Sequence, residues 1–397
     1  MDEAGVPMSR GFDVTVVGSG IVGLGAAYAA AKRGLSVVVV DRTSEPIGAS
    51  IRNFGHLCFT PQTGDARRYG VLARELWLQL ATDAGFWLRE TGTVVVARHD
   101  DELALLDAAR RSPLGEADRL PVGEEIRMLD AAEVADRTPV RHGVAAGGAF
   151  LAADLQTDPR SAVAAIIRRL QSMGVEFRMR TAVGRVRSGV VETSRGDIAT
   201  GLVVVAVNHD IDQLLPDAAE ENAVERCALD MLRVDAPLAR PLGAPLLTGW
   251  SLIRYRGFAG LPEASAVRQR LHGERPDLAA IDLNQMFTQL PDGSLLVGDT
   301  HWRGVTVSPF QSEAAVNLML AEAERLLDIG PLRVRERWQG VYAAAPDEFL
   351  VERPQPGVLA IAATTGIGMT TGLGLAEHHL ALELDAVSAR TPSKGLR

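Results

Sequence analysis

The sequence predicts an α/β fold in two interleaved units: a parallel sheet covered on both faces, and a strand-rich partner. Three observations predict it. A strand–helix–strand unit opens the chain, from Phe12 to Asp41. A run of short strands and turn residues fills the middle third, roughly Leu215 to Val307. A strand, a glycine loop and a helix close the chain, from Val358 to Leu384. The two ends resemble each other in kind and the middle does not, so two units woven together explain the order better than two in tandem.

Each element has its own signal. Phe12–Val17 (FDVTVV) is a short apolar run stopped by Gly18. Ile21 to Arg33 reads as a helix that Gly34 ends. Ser36–Val40 (SVVVV) is a second run ending at Asp41. Neither run alternates with polar residues, the pattern of parallel strands buried on both faces. Helices are expected at Leu72–Leu88, Glu102–Arg110, Ser161–Met173 and Glu313–Leu327. Strands are expected at Thr93–Ala97, Val175–Arg180, Val183–Arg187, Val190–Ser194, Leu202–Val207, Leu229–Val234, Ser251–Tyr255 and Ser294–Val297. Strand Val358–Ala362 and helix Thr370–Leu384 flank the closing loop. The first ten residues and the tail after Val387 read as frayed ends.

Composition narrows the function. At 397 residues, about 150 per domain gives two or three domains. The hydrophobic share is 47% and the charged share 23%, which is ordinary globular composition and argues against disorder. Two cysteines, Cys58 and Cys227, exclude a disulfide framework and a cysteine-based zinc site. A net charge of -9 argues against nucleic acid as the main partner. The longest apolar stretch, Ile21–Ala31, is too short to span a bilayer, and no basic leader precedes it. The expectation is therefore a cytoplasmic protein with no transmembrane segment, and no metal site is expected.

Gly18-Ser19-Gly20-Ile21-Val22-Gly23 is G-x-G-x-x-G between a strand and a helix, the setting that the motif needs. Gly18 permits the tight turn. Gly20 lets a pyrophosphate approach the helix N-terminus, and Gly23 lets helix and sheet pack closely. Asp41 ends the second strand roughly 20 residues on, where a carboxylate binds ribose hydroxyls and repels a 2′-phosphate. FAD and NAD are thus both compatible, and NADP is disfavoured. The next segment, Gly48-Ala-Ser50-Ile-Arg52-Asn53-Phe-Gly55-His56, offers small and polar residues to a flat ring and a second phosphate, which favours FAD.

Three blocks resemble the D-amino-acid oxidase superfamily of FAD enzymes, which holds glycine oxidase and sarcosine oxidase. They are VVGSGIVGLGAAYAAAKRGLSVVVVDR, GASIRNFG and GIGMTTGLGLAE, and the likeness runs from Phe12 to about Leu384. The phrases SIRNFGH, ARELW, AGFWLRETGT and RWQGVYAAAPD look most like a subgroup found with phosphonate-degradation genes, acting on aminoethylphosphonate-type amines.

The resemblance implies a GR2-type Rossmann-like FAD-binding domain (10–87, 154–215 and 328–397) and a substrate domain on an antiparallel sheet (88–153 and 216–327). It places Gly18, Ser19, Gly20, Ile21, Val22 and Gly23 at the pyrophosphate and Asp41 at the adenosine ribose, where the family usually carries Glu. Arg42 and Val183 fall beside the adenine. Ser50, Arg52, Asn53, Gly55 and His56 fall along the flavin, and Gly366, Gly368, Met369 and Thr370 at its pyrimidine edge. Gly25, Gly372 and Gly374 belong to the same three glycine clusters. Backbone N–H groups opening the last helix would stabilise charge on the reduced ring. Neither cysteine falls where some relatives bond the flavin, so FAD is expected to be noncovalent; His56 leaves a histidyl link open.

The implied reaction moves a hydride from the carbon beside an amine nitrogen to flavin N5. The imine is then hydrolysed to a carbonyl and a free amine, and O2 or another acceptor takes the electrons. A small anionic amine needs cations. His301, Arg337 and Tyr342 are expected to position it, with Arg254, Tyr255 and Arg256 as further candidates. If Ser251–Tyr255 is a strand, Arg254 and Arg256 face opposite to Tyr255. Trp302 and Arg303 accompany His301 in VGDTHWRG. An aminophosphonate, possibly N-methylated, competes with glycine, sarcosine or a D-amino acid as substrate. An NAD-dependent dehydrogenase and a noncatalytic flavin-binding protein remain as other classes.

Overall fold

The structure is a computed structural model that describes residues 11–390 except 114, 116–118 and 328. The expected frayed start and the end of the tail lie outside the described residues. Five strands form a parallel sheet in the order Glu176–Arg178, Val37–Val40, Phe12–Val17, Ile198–Val205, Val358–Thr365. Val14, Val16, Val37, Val39, Leu202, Val204, Leu359 and Ile361 meet the helices on one face. Val17, Val38, Val40, Val203, Val205 and Ala360 meet the hairpin Val183–Thr193 and Ile211 on the other. Both faces are covered, which is why the runs Val37–Val40 and Leu202–Val205 carry no polar alternation.

Helix Ile21–Lys32 is buried from Ile21 to Ala30. Helix Gly368–Arg390 lies across it and across helix Gly64–Ala84. A Cβ at Gly374 would stand 2.0 Å from the carbonyl oxygen of Tyr69, and one at Gly25 3.1 Å from Cβ of Ala376. Gly25 and Gly374 are therefore spacers between helices; neither lines the nucleotide cleft described below.

The second sheet is largely antiparallel. Glu225–Asp235 pairs with Leu295–Gly298, which pairs with Met286–Gln289, then Leu246–Thr248. Thr93–Ala97, Gly147–Leu151 and Ile126–Asp130 extend it, the first of them parallel to Leu246–Thr248. A strand of 23 residues, Arg333–Gln355, joins the two sheets. Its first half, Arg333–Ala344, pairs with Glu225–Asp235, and its second half with Val358–Thr365. The expected division puts everything beyond 327 in the first unit; here Arg333–Ala344 lies in the second sheet, because one strand serves both.

Several boundaries differ from expectation. The helix expected at Leu72–Leu88 runs from Gly64 to Ala84 and ends on Gly85, whose φ of +69° stops it. Ser251–Tyr255 is no strand. Gly249–Leu252 and Arg256–Ala259 are single helical turns, and Ile253–Tyr255 turns between them. The apolar run SLI looks strand-like because it is buried, and burial does not distinguish a strand from a short helix.

Candidate active site

Two cavities meet at the junction of the sheets. The first, about 420 Å³, runs along the carboxyl ends of the parallel strands. Gly18, Ser19, Gly20, Ile21, Val22, Asp41, Arg42, Ser50, Arg52, Asn53, Val183, Gly366, Gly368 and Met369 all line it. Gly18 has φ +104°, and a Cβ there would sit 2.5 Å from the Ala206 carbonyl oxygen. Helix Ile21–Lys32 starts at Gly20, which has no side chain to cap it; Ser50 takes the Ile21 amide, and Gly20 and Val22 line the cleft beside it. An anion at that spot is what a helix start favours.

Local hydrogen bonds shape this cleft. Asp41 Oδ2 accepts from Ser19 N at 2.9 Å and from Ser19 Oγ at 2.6 Å, and its Oδ1 accepts from Thr43 N and Oγ1. Ser50 Oγ accepts from Ile21 N at 2.9 Å. Asn53 Nδ2 donates to the carbonyls of Ala49 and Ser50, and its Oδ1 accepts from Gly55 N. Arg42 is paired with Asp210 at 2.6 Å, and Arg52 donates to the Gln339 carbonyl. These side chains thus hold the two glycine-bearing loops against each other as well as lining the cleft. The Ser19–Asp41 link is not legible in the motif, where Ser19 is an arbitrary residue.

Gly23 and Gly55 do not line the cleft. A Cβ at Gly23 would meet the Gly18 carbonyl oxygen at 2.0 Å, and one at Gly55 the Thr157 carbonyl oxygen at 1.9 Å. Both make room for backbone. Gly55 is thus corrected from cofactor contact to a packing position, with φ +65°.

The second cavity, about 580 Å³, lies over the first and shares Asn53, Leu229, Tyr342, Gly366 and Met369 with it. His56 and Thr370 line this one and not the cleft. The ring of Tyr342 covers Gly366, where a Cβ would lie 3.0 Å from Cζ. Arg254, Tyr255, Arg256 and His301 line the cavity together. The expected opposition of Tyr255 to the two arginines fails because these residues lie on a turn, where side chains do not alternate.

Arg337 is a further correction. It does not reach the cavity and is paired with Glu313. It sits five places before Tyr342 on one regular strand, so pleating puts the two on opposite faces. Trp302 is 37% exposed and donates to Asp230 Oδ2 at 2.9 Å, outside the cavity.

The cavity also holds groups that sequence reasoning missed. Asp282, with φ +47°, accepts from Arg254 Nη1 on Oδ1 at 2.5 Å and from Arg303 Nη1 on Oδ2 at 2.8 Å. Its carbonyl oxygen accepts from His301 Nδ1 at 3.0 Å. That bond requires the proton on Nδ1 and leaves Nε2 a bare acceptor. Burial, aided by Arg254 and Arg303, holds the His301 pKa well below the usual histidine value, so the ring is neutral. Asp299 lies two residues before His301, with Oδ2 3.8 Å from His301 Nε2. Asn284 Nδ2 donates to Asp299 Oδ1 at 2.9 Å. Burial pushes the Asp299 pKa up to about 7, against the pull of Arg254 and Asn284. Burial also raises the Tyr255 and Tyr342 hydroxyls well above their ordinary range, so both are neutral.

At the cavity wall, which His56 and Cys58 line, His56, Cys58 and Asp154 place one ligand-type atom each within 4.8 Å of one another. The carboxylate of Asp154 already accepts from Phe59 N, Thr60 N, Thr60 Oγ1 and Thr93 Oγ1. His56 Nε2 lies 2.7 Å from Thr93 Oγ1. The cluster ties loop 56–60 under strand Thr93–Ala97.

A parallel sheet with a glycine-loop cleft, joined to a cavity in an antiparallel sheet, defines a dinucleotide-dependent redox protein. The family model for FAD dependent oxidoreductase matches residues 13–382, and the chain belongs to that family. The residues present fit FAD: the start of helix Ile21–Lys32 at Gly20 would face its pyrophosphate, and the loop Gly366–Met369 reaches the point where the cleft opens into the second cavity. The fold is similar to that of glycine oxidase from Geobacillus kaustophilus, at TM-score 0.73 and 20% identity over 96% of each chain. It is similar to iminodiacetate oxidase from Chelativorans sp. BNC1, at TM-score 0.68 and 19% identity over 96% of this chain and 97% of that one. The L-alpha-glycerophosphate oxidase from Mycoplasma pneumoniae, solved with FAD bound, matches at TM-score 0.72 and 17% identity over 95% of each chain. No curated protein matches the chain. Among the described residues no helix is long and apolar enough to cross a membrane.

Proposed function

We propose that this flavoenzyme oxidises the C–N bond of a small anionic amine, and that the substrate is an aminophosphonate such as aminoethylphosphonate or its N-methyl form. The observation that carries the reading is the set Arg254, Arg256, Arg268 and Arg303 around one cavity that opens onto the nucleotide cleft, in a chain of net charge -9. Guanidinium forks suit phosphonate and carboxylate oxygens, which they grip in pairs. The glycine and iminodiacetate oxidases with the same fold are named for small anionic amines, which supports the amine class. The phrase likeness to the phosphonate-associated subgroup supports the finer choice.

Bound FAD supplies the hydride acceptor. The chain's residues do the rest. Arg254 and Arg303, fixed through Asp282, hold the anion; neutral Tyr342 roofs the junction at Gly366; the apolar side chains of Leu229, Met231 and Met286 keep the cavity wall dry. The test is anaerobic bleaching of the flavin, followed by steady-state kinetics, with aminoethylphosphonate, its N-methyl form, glycine and sarcosine. Reduction by the phosphonates supports the reading. Turnover confined to the amino acids overturns the aminophosphonate choice and leaves the amine class standing.

A further inference from the structure

We propose that Asp299 is the general base that takes the proton from the substrate ammonium before C–H cleavage. The inference rests on the amine reading above. An ammonium nitrogen has no lone pair to form the C=N bond, so one N–H proton must leave before hydride transfer. The step balances simply: R–NH3+ and the Asp299 carboxylate give R–NH2 and the Asp299 carboxyl, while the hydride leaves with its electron pair in the flavin-dependent oxidation.

The geometry selects this carboxylate. Asp299 lines the cavity that also contains Gly366 and Met369 at the mouth of the cleft. Its Oδ1 is committed to Asn284 Nδ2 at 2.9 Å, which fixes the plane of the carboxylate. Its Oδ2 faces His301 Nε2 at 3.8 Å. The Asp282 carbonyl, by taking the Nδ1 proton, makes Nε2 an acceptor, so a protonated Oδ2 has somewhere to point. The other carboxylates on the cavity wall are engaged. Asp282 bridges Arg254 and Arg303, and Glu348 is paired with Arg256 at 3.4 Å. The charged and titratable groups facing Asp299 are His301 on its own segment, Asp282, Arg254 and Tyr255 from the turns across the cavity, Tyr342 from the long strand and Cys227 from its neighbour. Of these, Arg254 pulls the Asp299 pKa down and Asp282 pushes it up, so their effects oppose. An Asp299 pKa of about 7 suits a base working near neutrality.

The test uses the flavin-loaded enzyme and 2-aminoisobutyrate, an anionic ammonium probe with no hydrogen on the carbon bearing nitrogen; the corresponding 1-amino-1-methylethylphosphonate is run beside it. Calorimetry in buffers of different ionisation enthalpy counts protons exchanged on binding. At about pH 6 wild-type Asp299, with a pKa of about 7, is mostly protonated when free, so binding 2-aminoisobutyrate beside it should release close to one proton, and at about pH 8 almost none; the phosphonate, which itself ionises at about pH 6, is scored for binding alone. Asp299→Asn should release none at either pH. With whichever amine turns over, Asp299→Asn should lower kcat about a hundredfold or more, and its rate should climb toward the ammonium's own pKa, about 10. Wild type that releases no proton at about pH 6 overturns the proposal, and this arm needs no variant to fold. An Asp299→Asn enzyme with the wild-type acid limb also overturns it, and leaves the amine reading intact. Binding of neither probe, together with no reduction by any amine, overturns the amine reading and this inference with it.

Discussion

Arg254 Nη1 stands 2.5 Å from Asp282 Oδ1, inside the cavity where the two sheets meet. The same carboxylate holds Arg303 on its other oxygen, so one residue aims two guanidiniums. Arg254→Ala should raise KM for the anionic amine about tenfold to a hundredfold, since charged hydrogen bonds contribute roughly 1.5–3 kcal/mol. Arg254→Lys should recover only part of this, because an ammonium cannot grip two oxygens in one plane. Steady-state kinetics at constant flavin content checks both.

Arg337→Ala should leave KM within about twofold of wild type. The side chain pairs with Glu313 on the far face of the sheet, and exposed pairs contribute at most about 1 kcal/mol. The same kinetic assay checks it, and a large KM effect would restore Arg337 to the substrate site.

Asp41→Ala should loosen FAD about tenfold or more. It removes the acceptor that ties Ser19 N and Oγ, and with them the phosphate loop, to the end of the second strand. Fluorescence titration of apoprotein with FAD measures the change in Kd.

Asp299 makes stability depend on pH in a defined direction. Its folded pKa, about 7, is raised above the unfolded value near 3.8. The unfolded chain therefore gives up this proton first. The stability it contributes is full below about pH 4 and is lost as pH rises through about 7. Asp299→Asn escapes that loss. The Tm of the variant minus that of wild type should grow from about pH 5 to about pH 8, by roughly 2 °C or more. A difference independent of pH in differential scanning fluorimetry would contradict the burial of this carboxylate.

How much of this was legible depended on the distance over which the information is written. SVVVV announces a buried parallel strand because four consecutive apolar residues leave no solvent-facing position among them. G-x-G-x-x-G is readable because its glycines answer constraints a few residues away, Gly23 against Gly18 above all. Asp299 and Asp282 were invisible for the opposite reason. In VGDTHW an aspartate after an apolar strand looks like an ordinary turn residue, and nothing local says that Asn284 and His301 enclose it. Arg254 and Arg256 were legible as cations, but their joint presence in one cavity depended on a turn that the local run SLI disguised as a strand.

By itself, then, the sequence determined the parallel sheet, the glycine turn Gly18–Gly23, the place of Asp41 at the end of the second strand and the glycine loop Gly366–Met369, all short-range patterns whose physics is complete within one strand–turn–helix unit. Only the tertiary structure decided which of the late arginines line the second cavity. Arg337 and Tyr342 are five residues apart on one strand, yet the pleat turns one outward to Glu313 and the other over Gly366. Arg254 and Asp282 lie on two turns, Asp299 on the link after strand Leu295–Gly298 and Arg303 on the short strand Trp302–Gly304, and all four line one cavity. The raised pKa of Asp299 and the lowered pKa of His301 are properties of that enclosure, since burial sets them and a sequence carries no record of what will surround a side chain.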